Sequence, residues 1–515
     1  MIESMNLAWC VRRWAELHPN KAAIIFEDDT ISYGQMSNRV NEVGSWLQSI
    51  GIEKGDRVAV LLKNCPEFMY LFLACSLIGA IFVPINFRTT GPELDYFIRN
   101  SRPRLFIHGK EFLPVVESLN LSGYLPPIVV SMIGGGKRFA ENRTDFNVEI
   151  DRFKGKHPFL TESLRPSTPE EPQVIMYTSG TTGNPKGAVL THLKTFFNCL
   201  NADIFFDLQF SDIMLIFLPL FHSGGLFIQA APALFKGATI VLHRKFDPKL
   251  VYENIEKYRV TKFLGVPTAY RELVNVPSKE RADISSLKVR AGGGEKLTED
   301  LMQKCFEAGL GFRQIMGQTE TSILLWASEK EFLTKPGTVG RPVFHAEVDI
   351  FDKSGKPVEP RQVGEIVVRG SIMMKEYWQD PLKTDATIKN GYLHTGDLAW
   401  KDEDGYFFLA GRSGDMYISG GENVYPAEVE KVLKNHPDIE EVAVIGVADD
   451  KWGETGHAFV MARPTSSLTE QMVIAFCEGS LSKYKWPSKV TFVKEFPRTS
   501  LGKIRKNKLI DRTRD

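Results

Sequence analysis

Apolar and polar positions along the first part of the chain alternate in blocks with two different periods. A helix-period stretch, MSNRVNEVGSWLQSIG from Met36, is followed by a strand-like run, DRVAVLL from Asp56, then a second helical stretch and a second strand-like run, GAIFVPI from Gly79. Such alternation predicts an α/β architecture with a parallel sheet. It resumes from Gln173, where QVIMYT and GAVLTH read as strands, Thr191 as the N-cap of a helix running to Asn201, and DIMLIFLP as a further strand. From Gly337 to Leu409 the runs shorten to EVDIFDKSGKPV, GEIVVRG and EDGYFFLAG, which predict a smaller β-rich, barrel-like unit. A fresh α+β pattern follows GRSGD: helix AEVEKVLKNH, strands EVAVIGV and HAFVMA, helix EQMVIAFCEGSL and strand KVTFV. The expected organisation is a large N-terminal domain over 1–410, with α/β subdomains at about 1–170 and 171–336 and a β-rich subdomain at about 337–410. A hinge at 411–415 then leads to a smaller, mobile α+β domain over 416–515, a size that can carry its own core.

Composition narrows the partners. The 515 residues are 43% hydrophobic, enough for cored globular domains, and Lys plus Arg equals Asp plus Glu at 63 each. No net field draws the chain to nucleic acid or to an anionic membrane, so its partners must be selected by sites. The cysteines at 10, 65, 75, 199, 305 and 477 show no CxxC spacing and the ten histidines form no HExxH pair, which argues for a reducing compartment and against a zinc site. The opening MIESMNLAWCVRRWAELHPNKAA mixes charges with its apolar residues, so a signal peptide is not expected and a cytoplasmic location is. Two uncharged runs, Phe68 to Ile85 and Ile213 to Phe235, are interrupted by Gly and Pro and read as buried helix or strand rather than membrane spans.

The densest chemistry lies in YTSGTTGNPKG, residues 177–187. Hydroxyls of Thr178, Ser179, Thr181 and Thr182, the flexible backbone at Gly180 and Gly183, and the mobile charge of Lys186 suit a polyphosphate; the same residues also suit a solvated hairpin loop. The order Pro185, Lys186, Gly187 fails the Walker A pattern, and an apolar strand follows the lysine where that motif needs a helix. The loop must therefore cover phosphates rather than cap them.

With LPLFHSGG (218–225), MGQTE (316–320), YLHTGD (392–397), GRSGDMYISGGENVYPAEVE (411–430) and PRTSLGKIRK (497–506), this loop makes the sequence resemble the adenylate-forming, AMP-binding enzymes, in the acyl-CoA synthetase branch that acts on fatty or aryl acids. The resemblance spans most of the chain and fits more loosely before residue 170. It implies a two-step ligase: a carboxylate attacks the α-phosphate of ATP, giving acyl-AMP and pyrophosphate, and a thiol then displaces AMP. It further implies Glu320 as the Mg²⁺ ligand, Thr319 as a donor to the α-phosphate, and Lys186 with the 178–182 loop on the outer phosphates. Asp397 and Arg412 would hold the ribose, as carboxylates do in dinucleotide folds. Adenine would lie against Gly293, Gly294, Glu295 and the Met316, Gly317, Gln318 stretch; relatives often place an aromatic at 316 and Ala-Pro at 295–296, where this chain has Glu295 and Lys296. Lys503 would reach the α-phosphate and the acyl carboxylate during adenylation. Gly420 and Gly421 would line the pantetheine passage, and Gly414 would be the hinge.

For the acid, His222 stands where amino-acid-activating relatives carry an aspartate, which disfavours an amino acid. Gly317 stands where acetate-activating relatives carry tryptophan, and with Gly224 this suggests a pocket for a longer apolar or an aryl acid. His222 would gate that pocket or serve as a packed core histidine. Twelve residues follow Lys503, so free CoA is the expected thiol, with a separate carrier protein as the alternative acceptor. The basic GKIRKNK tail allows peripheral contact with anionic lipid, and monomer and homodimer both stay open.

Overall fold

The computed structural model describes residues 5–119, 128–132, 146–158, 168–178, 185–294, 299–412, 414–419, 422–449, 452–464, 466–478, 480–481, 483–498 and 502–511. Among these, two large sheets dominate the N-terminal part. One runs Arg341–Pro342, Ser322–Ala327, Arg313–Gln318, Val289–Gly293, Lys262–Gly265, Ile213–Ile216, Thr239–Leu242, Ala22–Phe26, Asp29–Ser32, parallel through its centre and antiparallel at both edges. The other runs Glu376–Tyr377, Lys186–Thr191, Pro172–Thr178, Ile81–Pro84, Arg57–Leu61, Leu105–Gly109, Ile128–Met132. Their central strands are near-continuous Val, Ile, Leu and Phe runs because helices cover them on both faces.

The sheets do not respect the expected subdomain division near residue 170. Ala22–Phe26 pairs in parallel with Thr239–Leu242, and Pro172–Thr178 joins Ile81–Pro84, so each sheet takes strands from both sequence blocks. Parallel neighbours need not be consecutive, so strand periodicity alone does not reveal them.

Local signals fare better. Thr191 caps its helix by accepting the Lys194 amide. That helix, His192–Phe206, runs past Asn201 because Phe205 and Phe206 are buried, and it ends at Asp207 in left-handed conformation. DIMLIFLP shortens to Ile213–Ile216, since Asn64 clamps the following turn: its Nδ2 donates to the Leu218 and His243 carbonyls, and its Oδ1 accepts the Leu220 amide. The run from Phe68 divides between helix Pro66–Ile78, entirely surrounded by protein apart from Glu67 and Leu77, and strand Ile81–Pro84. No described helix is long and apolar enough to cross a membrane.

Strands Glu347–Phe351, Gly364–Arg369, Tyr392–Lys401, Ile388–Lys389 and Phe407–Arg412 form the small β unit. Beyond it, Glu422–Val424, Tyr417–Ser419, Gly453–Ala462, Ile439–Asp449 and Pro487–Phe492 make a further sheet. Its core of Tyr417, Val429, Leu433, Val442, Val444, Val460 and Val473 is separate from the N-terminal cluster.

Candidate active site

Thr178 ends one strand and Lys186 begins the next, directly opposite in an antiparallel pair. Ser179, Gly180, Thr181 and Thr182 lie outside the described residues, as do Glu295, Gly420 and Gly421. The hairpin root is anchored by Tyr96, whose hydroxyl donates to the Pro185 carbonyl at 2.9 Å. Lys186 holds its Nζ 5.4 Å from the centre of the Tyr377 ring. Burial, with the neighbouring Lys383 charge, pulls its pKa below the usual lysine value while Glu320 pulls the other way.

Glu320 sits at the tip of a second hairpin, between strands Arg313–Gln318 and Ser322–Ala327, where Gln318 faces Ser322. Its side chain is buried, and Oε1 accepts the Tyr377 hydroxyl at 2.8 Å. Tyr377 belongs to the two-residue strand beside Lys186–Thr191, so this sheet edge holds both the cation and the group that orients the carboxylate. Thr319 is half-buried beside Glu320. Gln318 Nε2 donates to the Thr395 carbonyl at 3.3 Å, tying this hairpin to the strand of Asp397.

Asp397 is 8% exposed and stands across the ladder from Arg412, whose Nε donates to Oδ1 at 2.9 Å. Burial raises the pKa of Asp397, while the charges of Arg412 and then Lys503 oppose that rise. One oxygen of the expected ribose acceptor is therefore already engaged by the expected ribose donor.

Gly293 ends the strand beside Arg313–Gln318 and Gly294 follows it; a Cβ on Gly293 would come 2.4 Å from the Ile315 carbonyl, and Gly294 has φ +89°. Met316 is buried. Gly317 requires a correction: a Cβ there would meet the Ser322 carbonyl at 1.8 Å, so the hairpin backbone itself demands glycine, and its absent side chain is not by itself evidence of pocket depth. Gly224 is different. A Cβ there would touch only Leu218 Cδ1, at 3.4 Å, which leaves room for a ligand.

His222 stacks obliquely on Phe221 at 4.2 Å, and its Nε2 is buried without a partner. Burial, and to a lesser degree Arg88 and Lys503, push its pKa down to about 3, so the ring is neutral. Lys503 itself is exposed; its neighbour Gly502 lies against Thr268, where a Cβ would be 3.7 Å from Cγ2. Arg498 shapes this segment, donating Nη1 to the Gly502 carbonyl at 2.8 Å and Nη2 to Glu441. Gly414 lies in an exposed turn with nothing within 4 Å of an added Cβ. Electrostatic influence links these groups pairwise: Lys186 with Glu320, Arg412 with Asp397 and Glu320, and Lys503 with both Asp397 and His222. Tyr377 and the buried Lys194 were not evident from any motif, although a lysine on the first turn of an otherwise half-apolar helix is a signal for the latter.

Comparison with known proteins identifies the family. Residues 11–378 match the model of the AMP-binding enzymes and 428–503 that of the AMP-binding enzyme C-terminal domain. The chain belongs to the AMP-binding enzyme family. It is similar to a feruloyl-CoA synthase from Amycolatopsis, 37% identical with 98% of each chain covered. An indoleacetate–CoA ligase from Aromatoleum aromaticum is 35% identical, covering 98% of this chain and 97% of that one. Among solved structures, the O-succinylbenzoate coenzyme A synthetase of Bacillus subtilis in complex with ATP and magnesium superimposes with a TM-score of 0.83 at 29% identity, covering 98% of this chain and 99% of that one. A fatty acid–[acyl-carrier-protein] ligase from Streptomyces coeruleorubidus is also similar, 33% identical and covering 97% of this chain and 94% of that one.

Proposed function

We propose that the protein is an ATP-dependent carboxylic acid–CoA ligase acting through an acyl-adenylate. The observation that carries this reading is Lys503, whose charge acts on both Asp397, on the nucleotide side, and His222, on the acid side. A cation that influences both groups supports a role for Lys503 where the acid carboxylate would meet the α-phosphate. In the first half-reaction an oxygen of the carboxylate bonds to the α-phosphorus as the bond to the bridging oxygen breaks and pyrophosphate leaves. Lys503 and Thr319 stabilise the charge gathering on the α-phosphoryl oxygens; Lys186 and the Thr178–Thr182 loop hold the outer phosphates. The Asp397–Arg412 pair takes the ribose, and Gly293, Gly294, Glu295, Met316, Gly317 and Gln318 flank the base. In the second half-reaction the CoA sulfur, its proton lost to solvent, attacks the acyl carbon and AMP departs, with Gly420 and Gly421 leaving a passage for the pantetheine arm.

Magnesium fits the residues present: Glu320 offers a hard carboxylate oriented by Tyr377. Glu320 would hold the ion together with substrate phosphates, and the ion, when bound, neutralises triphosphate charge. The acid is an apolar or aryl one, received between His222 and Gly224 and the apolar stretch Leu218 to Phe227, and free CoA is the acceptor. Incubation with ATP, Mg²⁺ and a panel of acids, followed by ATP–pyrophosphate exchange and thioester formation with CoA, tests this. Acid-dependent exchange and thioester are expected; absence of both with every acid overturns the reading.

A further inference from the structure

Two buried lysines of this chain are satisfied in very different ways. Lys262 pairs with Asp212 at 3.0 Å and donates to the carbonyls of Phe206 and Asp207 at 2.8 and 2.7 Å, a closed structural arrangement. Lys194 is equally buried at 1% exposure, yet among the described residues its Nζ has a single hydrogen-bond partner, the neutral Ser322 hydroxyl at 2.6 Å. None of the ion pairs among the described residues includes it. Burial pulls its pKa down to about 7, and as amine or ammonium the head group keeps hydrogens beyond the one that Ser322 takes, for which a buried site needs acceptors.

Its surroundings say where such an acceptor would come from. Nζ lies 5.9 Å from the centre of Phe227 and feels the charge of Glu320, while the Ser322 that it grips abuts Gly317 through its carbonyl. The head group therefore stands between the Glu320 hairpin and the His222–Phe227 stretch, the two walls that flank the acid. One helical turn on, Asn198 shares this face. Its Nδ2 donates to the Phe227 carbonyl, and its Oδ1 is buried with no partner. A donor short of acceptors thus stands beside an acceptor without a donor, both against the same phenylalanine. A hydroxyl satisfies both at once, accepting from Lys194 and donating to Asn198.

We infer that the acid handled at the proposed ligase site carries a hydroxyl at its far end, with Lys194 and Asn198 as the pair that selects it; this rests on the CoA-ligase reading above. A phenolic acid suits the aromatic wall. Ser322 has φ +59°, so a purely structural alternative is that Lys194 merely secures this left-handed residue. That alternative would affect all acids equally.

The test uses the intact enzyme with two matched pairs, 4-hydroxycinnamate against cinnamate and 8-hydroxyoctanoate against octanoate, scored as kcat/KM for thioester formation. The wild type should favour the hydroxylated member of at least one pair by 10-fold or more. Lys194→Met, which keeps the stem's bulk and removes the donor, should reduce that advantage to 2-fold or less through a larger loss for the hydroxylated acid than for its deoxy partner. A wild-type ratio below 2 in both pairs overturns the inference, as does an advantage that survives in Lys194→Met or a loss shared equally by both members. Should that variant not melt cooperatively, Asn198→Ala is judged by the same criteria. Absence of thioester and of pyrophosphate exchange with all four acids and with a wider panel would instead overturn the ligase reading, and this inference with it.

Discussion

The Glu320 carboxylate accepts the hydroxyl of Tyr377 at 2.8 Å, and Tyr377 is a strand neighbour of the segment that carries Lys186. An anion from one hairpin is thereby oriented by a residue whose backbone also positions the cation of another. If Glu320 holds magnesium, this hydrogen bond decides which way the carboxylate faces. Tyr377→Phe keeps the ring beside Lys186 and removes only the donor, worth about 1.5 to 3 kcal/mol for a charged acceptor. Acyl-AMP formation at subsaturating Mg²⁺ should fall at least about 10-fold, with the Mg²⁺ midpoint moved upward. An unchanged magnesium titration would leave the tyrosine a packing role only.

Asp397 and Arg412 act as a unit, so truncating one strands the other. Asp397→Ala should weaken ATP use by at least about 10-fold, from roughly 1.5 to 3 kcal/mol per lost charged hydrogen bond. The KM for ATP, with the acid saturating, is the direct readout, and near-normal ATP kinetics would contradict a ribose role.

Lys503 and Gly414 are expected to separate the two half-reactions. Lys503→Ala should slow acyl-AMP formation by about two to three orders of magnitude, given ~3 kcal/mol for such a donor, and spare conversion of supplied acyl-AMP to acyl-CoA. Gly414→Ala should be silent, because nothing lies within 4 Å of the added methyl. Gly414→Pro, which fixes φ, should leave adenylation near normal and slow thioester formation if the C-terminal domain turns about this position. Equal losses in both steps for Lys503→Ala would sink the division of labour.

Gly224 offers a test of pocket depth. Acids of about six or more carbons, or aryl acids, should exceed acetate in kcat/KM, since each buried methylene contributes up to ~0.8 kcal/mol. Gly224→Leu should reverse that ranking by filling the space beyond Leu218. Acetate as the best wild-type substrate would show the pocket to be shallow.

Acid should destabilise the fold before its carboxylates titrate. His192, His243 and His457 are buried, and desolvation pushes each down to about 4 from an ordinary 6.5. The unfolded chain then binds protons that the folded one refuses, so the neutral-ring stability is present above pH ~6.5 and is lost as pH falls toward ~4, by up to ~1.4 kcal/mol per histidine per pH unit. Urea midpoints at pH 7.5, 6 and 5 should decline steadily, and His457→Gln should flatten the slope. A midpoint constant over that range would be inconsistent with these buried neutral rings.

Local order along the chain determined much of this protein. Periodicity placed the strands at Arg57–Leu61 and Ile81–Pro84, Thr191 announced its helix, and the apolar strand after Lys186 excluded a phosphate-capping helix. These depend on backbone propensity and near-neighbour geometry, which a single segment carries within itself. Residues such as Glu320, Asp397 and Lys503 stood out as candidates because the motifs that carry them are short strings of residues.

Only the tertiary structure decided how the segments meet. The exchange of strands between the two sheets, the tyrosine on Glu320, the pairing of Arg412 with Asp397 and the isolation of Lys194 all join positions far apart in sequence. Gly317 shows the difference most plainly. Its letter suggested empty pocket, whereas the Ser322 carbonyl beside it shows a backbone too close for any side chain. Burial and partner geometry are properties of the packed whole, because desolvation depends on what every other segment covers.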